Sequence, residues 1–224
     1  MFTHDPYMVK AIEYLVGISF LVLFVAFWRF VNGEPAVVAE RAWSGQLADW
    51  FRMPERLFFH PGHAWARFDE PDVVTVGLND FAQQLVGPVH AVDLPQPGAM
   101  LEGGARGWTL RADGKAVDML APVTGTVLAV NRDVKHRGDL VNEDPYGRGW
   151  LMKVKVPRVA ESLKDLTSGA AARRWMEGVS QQLTASVSPE LGVLYQDGGL
   201  PIHGIARGID EAHWDDVARR FLLT

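Results

Sequence analysis

The chain opens on an apolar run unlike anything that follows it. Tyr14 to Trp28, YLVGISFLVLFVAFW, carries no charge, and MVKAIE before it and RFV after it prolong the pattern. Next, Trp43, Leu47, Trp50 and Phe51 recur at helical spacing and predict one amphipathic helix in a linker. From Leu57 to Val156 the rhythm changes to short alternating runs broken by Gly, Pro, Asn and Asp. AWARF and VVTVGL read as a hairpin, NDFAQQLVG as a short helix capped by Asn79, and PVHAVDLP as a strand. GWTLRA and AVDMLAPV flank an Asp-Gly turn, and GTVLAVN and GWLMKVKV bring the total to about seven strands, the pattern of a sandwich or barrel. Beyond it, Ala171, Trp175, Val179 and Leu183 mark one helix, and Trp214, Val217, Ala218 and Phe221 another, with Asp210 as N-cap. Between those helices GVLYQDGG and PIHGIARGI read as two short strands.

The expected organisation is therefore an N-terminal segment over 1–33, a linker helix over 34–56, a β domain over 57–158 and a C-terminal α/β extension over 159–224. A bilayer core of roughly 30 Å takes about 20 helical residues, with about 17 as the lower limit. Met8 to Val31 reaches that length if Lys10, Glu13 and Arg29 lie at headgroup level beside Tyr14 and Trp28. The alternatives are a buried core helix and a cleaved signal peptide, and no small-residue cleavage site follows FWRFVNGEP. The expectation is a single transmembrane helix in the inner (cytoplasmic) membrane. Arg29, Arg41, Arg52 and Arg56 after it, against Lys10 before it, place the globular part in the cytoplasm.

Charge and cysteine content narrow the chemistry. A formal net charge of -5 gives no electrostatic footprint for nucleic acid. With 0 cysteines the chain has no disulfide, thiolate metal site or cysteine nucleophile. His60 and His63 in HPGHAW invite a metal reading but lack a second ligand cluster, and Glu143 and Asp144 in NEDPYG read as a turn rather than an acid-base pair.

Five stretches taken in order, HAWARF, VVTVGLNDFAQQLVG, VDLPQPG, APVTGTVLAVN and LVNEDPYGRGWLMKVKV, resemble the H protein of the glycine cleavage system. The resemblance implies a mainly β, lipoyl-type barrel-sandwich hybrid fold, and assigns His63 and the NEDPYG turn structural roles. It also implies a lysine at a hairpin tip that carries lipoic acid, whose dithiolane ferries an aminomethyl group and electrons between partner enzymes.

That lysine stands eight positions before the proline of an Ala-Pro pair in the family. Counting back from Pro122 reaches Gly114, and counting forward from Leu94 and Pro95 reaches the same glycine, while Asp118 falls on the family's aspartate. Lys115 is displaced by one residue, which in a strand reverses the face a side chain occupies. Asp113-Gly114 is itself a favoured two-residue turn, and Arg111 replaces the family's acidic residue. A local bulge that returned Lys115 to the apex would restore a lipoyl attachment site there.

These readings lead to an expected function: a membrane-anchored, non-catalytic accessory subunit of a membrane redox or respiratory complex, with other subunits as partners and no attached cofactor. The alternative is a working lipoyl carrier modified at Lys115. A biotinyl-type carrier ranks last, because the Met-Lys-Met tip is absent.

Overall fold

The computed structural model describes residues 6–32, 50–186 and 203–224. The chain divides into two compact units, Met1–Trp43 and Ser44–Thr224. The first contains helix α1 (Pro6–Asn32), the helix that the opening apolar run predicts, with Tyr14, Leu15, Phe20 and Leu23 all exposed. Its charge-free run is 15 residues, about 22 Å at 1.5 Å per residue, which falls short of a bilayer core of roughly 30 Å. Among the described residues no helix is long and apolar enough to cross a membrane. The expected transmembrane anchor and the membrane localisation built on it are corrected accordingly.

The second unit is built on two antiparallel sheets. Strands β1 (Phe58–Phe59), β2 (Ala64–Glu70), β3 (Val73–Leu78), β4 (Ala91–Asp93), β5 (Met100–Leu101), β6 (Arg106–Ala112), β7 (Lys115–Leu120), β8 (Gly125–Val130) and β9 (Trp150–Lys155) succeed one another along the chain. One sheet runs β1-β2-β3-β9-β8-β5 and the other β4-β6-β7. The predicted hairpins form where their turn residues stand; the two-residue strands β1 and β5 are too short to carry an alternation and were not predicted. Val74, Val76, Leu110, Val117, Met119, Leu151 and Val154 are buried in one continuous core. That burial supplies the main driving force for the domain.

Helix α2 (Asp80–Val86) follows β3, and the Asn79 side chain accepts from the Ala82 N–H at 2.9 Å, as its N-cap reading requires. Two short helices, α3 (Arg132–His136) and α4 (Leu140–Glu143), bridge β8 to β9. After β9 come α5 (Val159–Ser162), α6 (Gly169–Ser186), α7 (Ile205–Ile209) and α8 (Trp214–Leu222).

The described part of the extension is helical apart from one isolated β-bridge of Thr167 to Phe59, which corrects the α/β reading in part. GVLYQDGG lies outside the described residues. PIHGIARGI contains α7: its apolar residues serve a helix that buries Ile205 and Ala206. Asp210 is not the cap of α8; its carboxylate accepts from the Ala212 and His213 N–H groups at 3.0 Å each and turns the chain between α7 and α8. Most of the segment 34–56, where a linker helix is expected, also lies outside the described residues. At its end Phe51 is buried and meets the Phe81 ring edge-on at 4.9 Å, so this part of the apolar face packs on the chain's own domain.

Candidate functional site

The β6–β7 hairpin turns on Asp113 and Gly114, with Ala112 paired to Lys115. Both turn residues have positive φ, 44° and 74°, the conformation that a two-residue hairpin loop of this class needs. Gly114 meets this at no steric cost, and a Cβ there would point into open space. The apex is therefore Asp113-Gly114, as the count from both flanks predicts, and no bulge returns Lys115 to it.

Alternation along β7 then decides where Lys115 goes. Val117 and Met119 are buried, whereas Ala116 and Asp118 line an open groove of about 690 Å³ with Asp93, Arg106, Trp108 and Arg219. Residues two apart share a face, so Lys115 belongs with Val117 and Met119, on the side opposite the groove. At the end of the strand that face is covered by α8. The Lys115 Nζ donates to the Ala212 carbonyl at 2.6 Å and forms an ion pair with Asp215, 5.8 Å from the centre of the Trp214 ring. Its side chain is 32% exposed and that of Asp215 16%, so the pair is partly withdrawn from water.

Asp113 is held from the same side. Arg207 Nη1 lies 2.6 Å from its carboxylate, and His90 Nε2 lies 3.0 Å from the other oxygen. The hydrogen bond from His90 and the Arg207 charge keep the Asp113 carboxyl below the usual range; hydrogen bonding from Lys115 does the same for Asp215. Arg207 also lies over Trp214 at 5.0 Å, and Arg219 reaches Asp215 at 3.0 Å and the Ala116 carbonyl at 3.3 Å. Arg207, Ala212, Trp214 and Asp215 were not anticipated as site residues. The signal present in the sequence is the WDD run at the start of α8, where Trp214 reads equally well as ordinary core.

The remaining candidates are structural. His63 is buried, stacks on Phe81 at 4.3 Å and accompanies Asn79 at 3.2 Å; burial drives its pKa down to about 3. His60 Nδ1 accepts from the Gly62 N–H at 3.0 Å. Asp144 accepts from the Gly147 and Arg148 N–H groups, and Glu143 pairs with Arg137 and Arg148, so NEDPYG is occupied as a turn. Among the described residues no group of His, Asp and Glu is placed to hold a metal ion.

The family model described as Glycine cleavage H-protein matches residues 57–178, more than half of the chain. A glycine cleavage system H protein of Marinobacter nauticus is 38% identical over 119 residues, covering 53% of this chain and 91% of the relative. One from Mycobacterium avium is 43% identical over 108 residues, covering 48% and 82%. The crystal structure of a glycine cleavage system H protein from Mycobacterium marinum superposes with a TM-score of 0.50 at 24% identity, covering 56% of this chain and 99% of that one, a likeness of fold. The folded β domain, its hairpin and these matches agree: the chain belongs to the glycine cleavage H-protein family.

Proposed function

We propose that this chain is a non-catalytic carrier module of the H-protein type, working through protein partners that read the β6–β7 tip. The relatives are glycine cleavage system H proteins by name, which favours a carrier over an accessory subunit of a membrane redox complex. The observation that carries the reading is Lys115 itself: it is the sole lysine of the hairpin, it directly follows the turn, and its amine is partly exposed.

Lys115 suits a lipoyl group in kind, being a primary amine at a hairpin end, and does not suit it where it now lies, bound to Asp215 and facing Trp214. A lipoyl group there would supply a dithiolane able to carry a one-carbon unit and electrons. The protein's own residues hold the amine, set its direction and keep it from the groove side. Attachment therefore needs the C-terminal helices to release Lys115.

A second reading, a family member with no attached group, is favoured by Gly114 at the apex. Peptide mass mapping of the full-length chain, produced in cells supplied with lipoic acid and its ligase, separates the two. A lipoyl amide on Lys115 supports the carrier; stoichiometrically unmodified Lys115 overturns it in favour of the second reading.

A further inference from the structure

Apart from His90, the groups that hold the hairpin tip lie outside the part of the chain that the family model matches. That match ends at residue 178, whereas Arg207, Ala212, Trp214, Asp215 and Arg219 follow it. They meet the tip with opposed charges on both sides of the turn: Arg207 on Asp113 and Asp215 on Lys115. A carboxylate, a carbonyl oxygen and an aromatic face converging on one nitrogen are the elements of an ammonium-binding site. Trp214 is 3% exposed and packs in the buried core with Val217, Ala218 and Phe221, which holds its aromatic face beside the amine.

The segment is seated on the domain at a second point. The Gly204 N–H donates to the Gln84 carbonyl at 2.8 Å, and a Cβ on Gly87 would lie 2.8 Å from the Gly204 Cα. From that anchor α7 and α8 run to the tip, where α8 buries Val217, Ala218, Phe221 and Leu222 and leaves its charged start at Lys115.

We propose that residues 204–222 form a latch that recognises Lys115 as a free ammonium and lets the hairpin tip go when that amine is acylated. Transfer from an activated acyl donor forms one N–C bond at Nζ, breaks the bond from the donor's carbonyl to its leaving group, and releases two protons from the ammonium. The product is a neutral amide. It offers Asp215 no charge and Trp214 no cation, and it adds bulk where the Lys115 side chain now lies against α8. Asp215 keeps Arg219 as a partner at 3.0 Å, so release leaves no carboxylate stranded. The latch rests on the geometry alone; its role in loading a carrier rests on the function proposed above.

Hydrogen-deuterium exchange of the full-length chain tests it without any lipoyl group. Lys115→Gln, neutral like an acylated lysine, is expected to raise exchange across 205–222 at least fivefold, while Lys115→Arg keeps it within twofold of wild type. Strands β3 and β9 serve as the folding control in each variant. In parallel, N-hydroxysuccinimidyl acetate is expected to acetylate Lys115 at least threefold faster in Asp215→Asn than in wild type, with Lys135 as internal reference. Equal exchange in the Gln and Arg variants, or equal acetylation of Lys115 with and without Asp215, overturns the latch and leaves the carrier reading standing. An unmodified Lys115 in the peptide mapping has the reverse effect: it overturns the carrier and leaves the latch.

Discussion

The interior of the β domain and the seam between the hairpin tip and α7–α8 are held by different forces. Around Trp65 the contacts are closed to water: the ring is fully buried among Leu57, Phe59 and Ala172, with Arg67 over it at 5.9 Å, and its indole N–H is spent on the Pro145 carbonyl at 3.0 Å. At the seam, part-exposed ion pairs on Asp113 and Lys115 flank a single aromatic face. Apolar burial is roughly proportional to area and indifferent to protonation. Partly exposed ion pairs are worth about 1 kcal/mol or less and answer to salt and charge state. The same unit thus holds an apolar core, to which α8 contributes Val217, Ala218, Phe221 and Leu222, and, at its edge, charge contacts on the hairpin tip that depend on the state of one amine.

Four outcomes test that contrast. The largest effect belongs to the core: Trp65→Ala is expected to cost about 3–5 kcal/mol of global stability in denaturant unfolding, because burial and the Pro145 hydrogen bond go together. A loss near 1 kcal/mol would mean that the interior is no better packed than the seam.

The second concerns the buried imidazole of His63. Its folded pKa of about 3 lies below the ordinary 6.5, so between those values the unfolded chain binds a proton that the folded chain refuses. Stability present above pH 6.5 is therefore lost as pH falls, by about 1.4 kcal/mol per pH unit and about 3 kcal/mol by pH 4. His63 has a left-handed φ of 61°, which asparagine tolerates better than most residues, so His63→Asn is the variant that removes the titration with least strain. Urea midpoints measured from pH 7 to 4 should then show a flatter slope than wild type.

At the seam, Asp215→Asn is expected to lower the local stability of α8 by about 1 kcal/mol while global unfolding stays within about 0.5 kcal/mol of wild type. Exchange of the α8 amides, set beside the urea midpoint, reads both. The smallest effect is that of salt: going from 0.05 to 0.5 M sodium chloride should speed α8 exchange about twofold and leave β3 and β9 unchanged. A barrel that responds as strongly as α8 would erase the distinction between the two regions.

Much of this was legible beforehand because it depends on local rules. Asn79 capping α2, the Asp113-Gly114 turn and the β2–β3 hairpin each follow from residues within a few positions of one another. That Lys115 follows the turn instead of forming it was also readable, since Asp113-Gly114 is a favoured two-residue turn. The misses share a different cause. Asp210 has the chemistry of a cap, but its two backbone partners place it in the turn before α8. In PIHGIARGI the apolar residues suit a strand or a short helix equally, and only packing beside α2 selects the helix. At the N-terminus the apolar run gave α1 correctly, and the inferred membrane span failed because Lys10, Glu13 and Arg29 had to be counted into its length.

Chain order alone was enough to specify the β domain and the residues at the hairpin apex, because turn chemistry and alternation are properties of neighbours along the backbone; the family came from the resemblance of five stretches taken in order. What Lys115 touches was not specified that way. Asp215 lies 100 positions further on, and the two meet because α8 buries its apolar face against the domain and thereby sets its first carboxylates beside the strand end. A charge pair between residues so distant in sequence has no signature in either segment; it exists where packing brings the two side chains within reach.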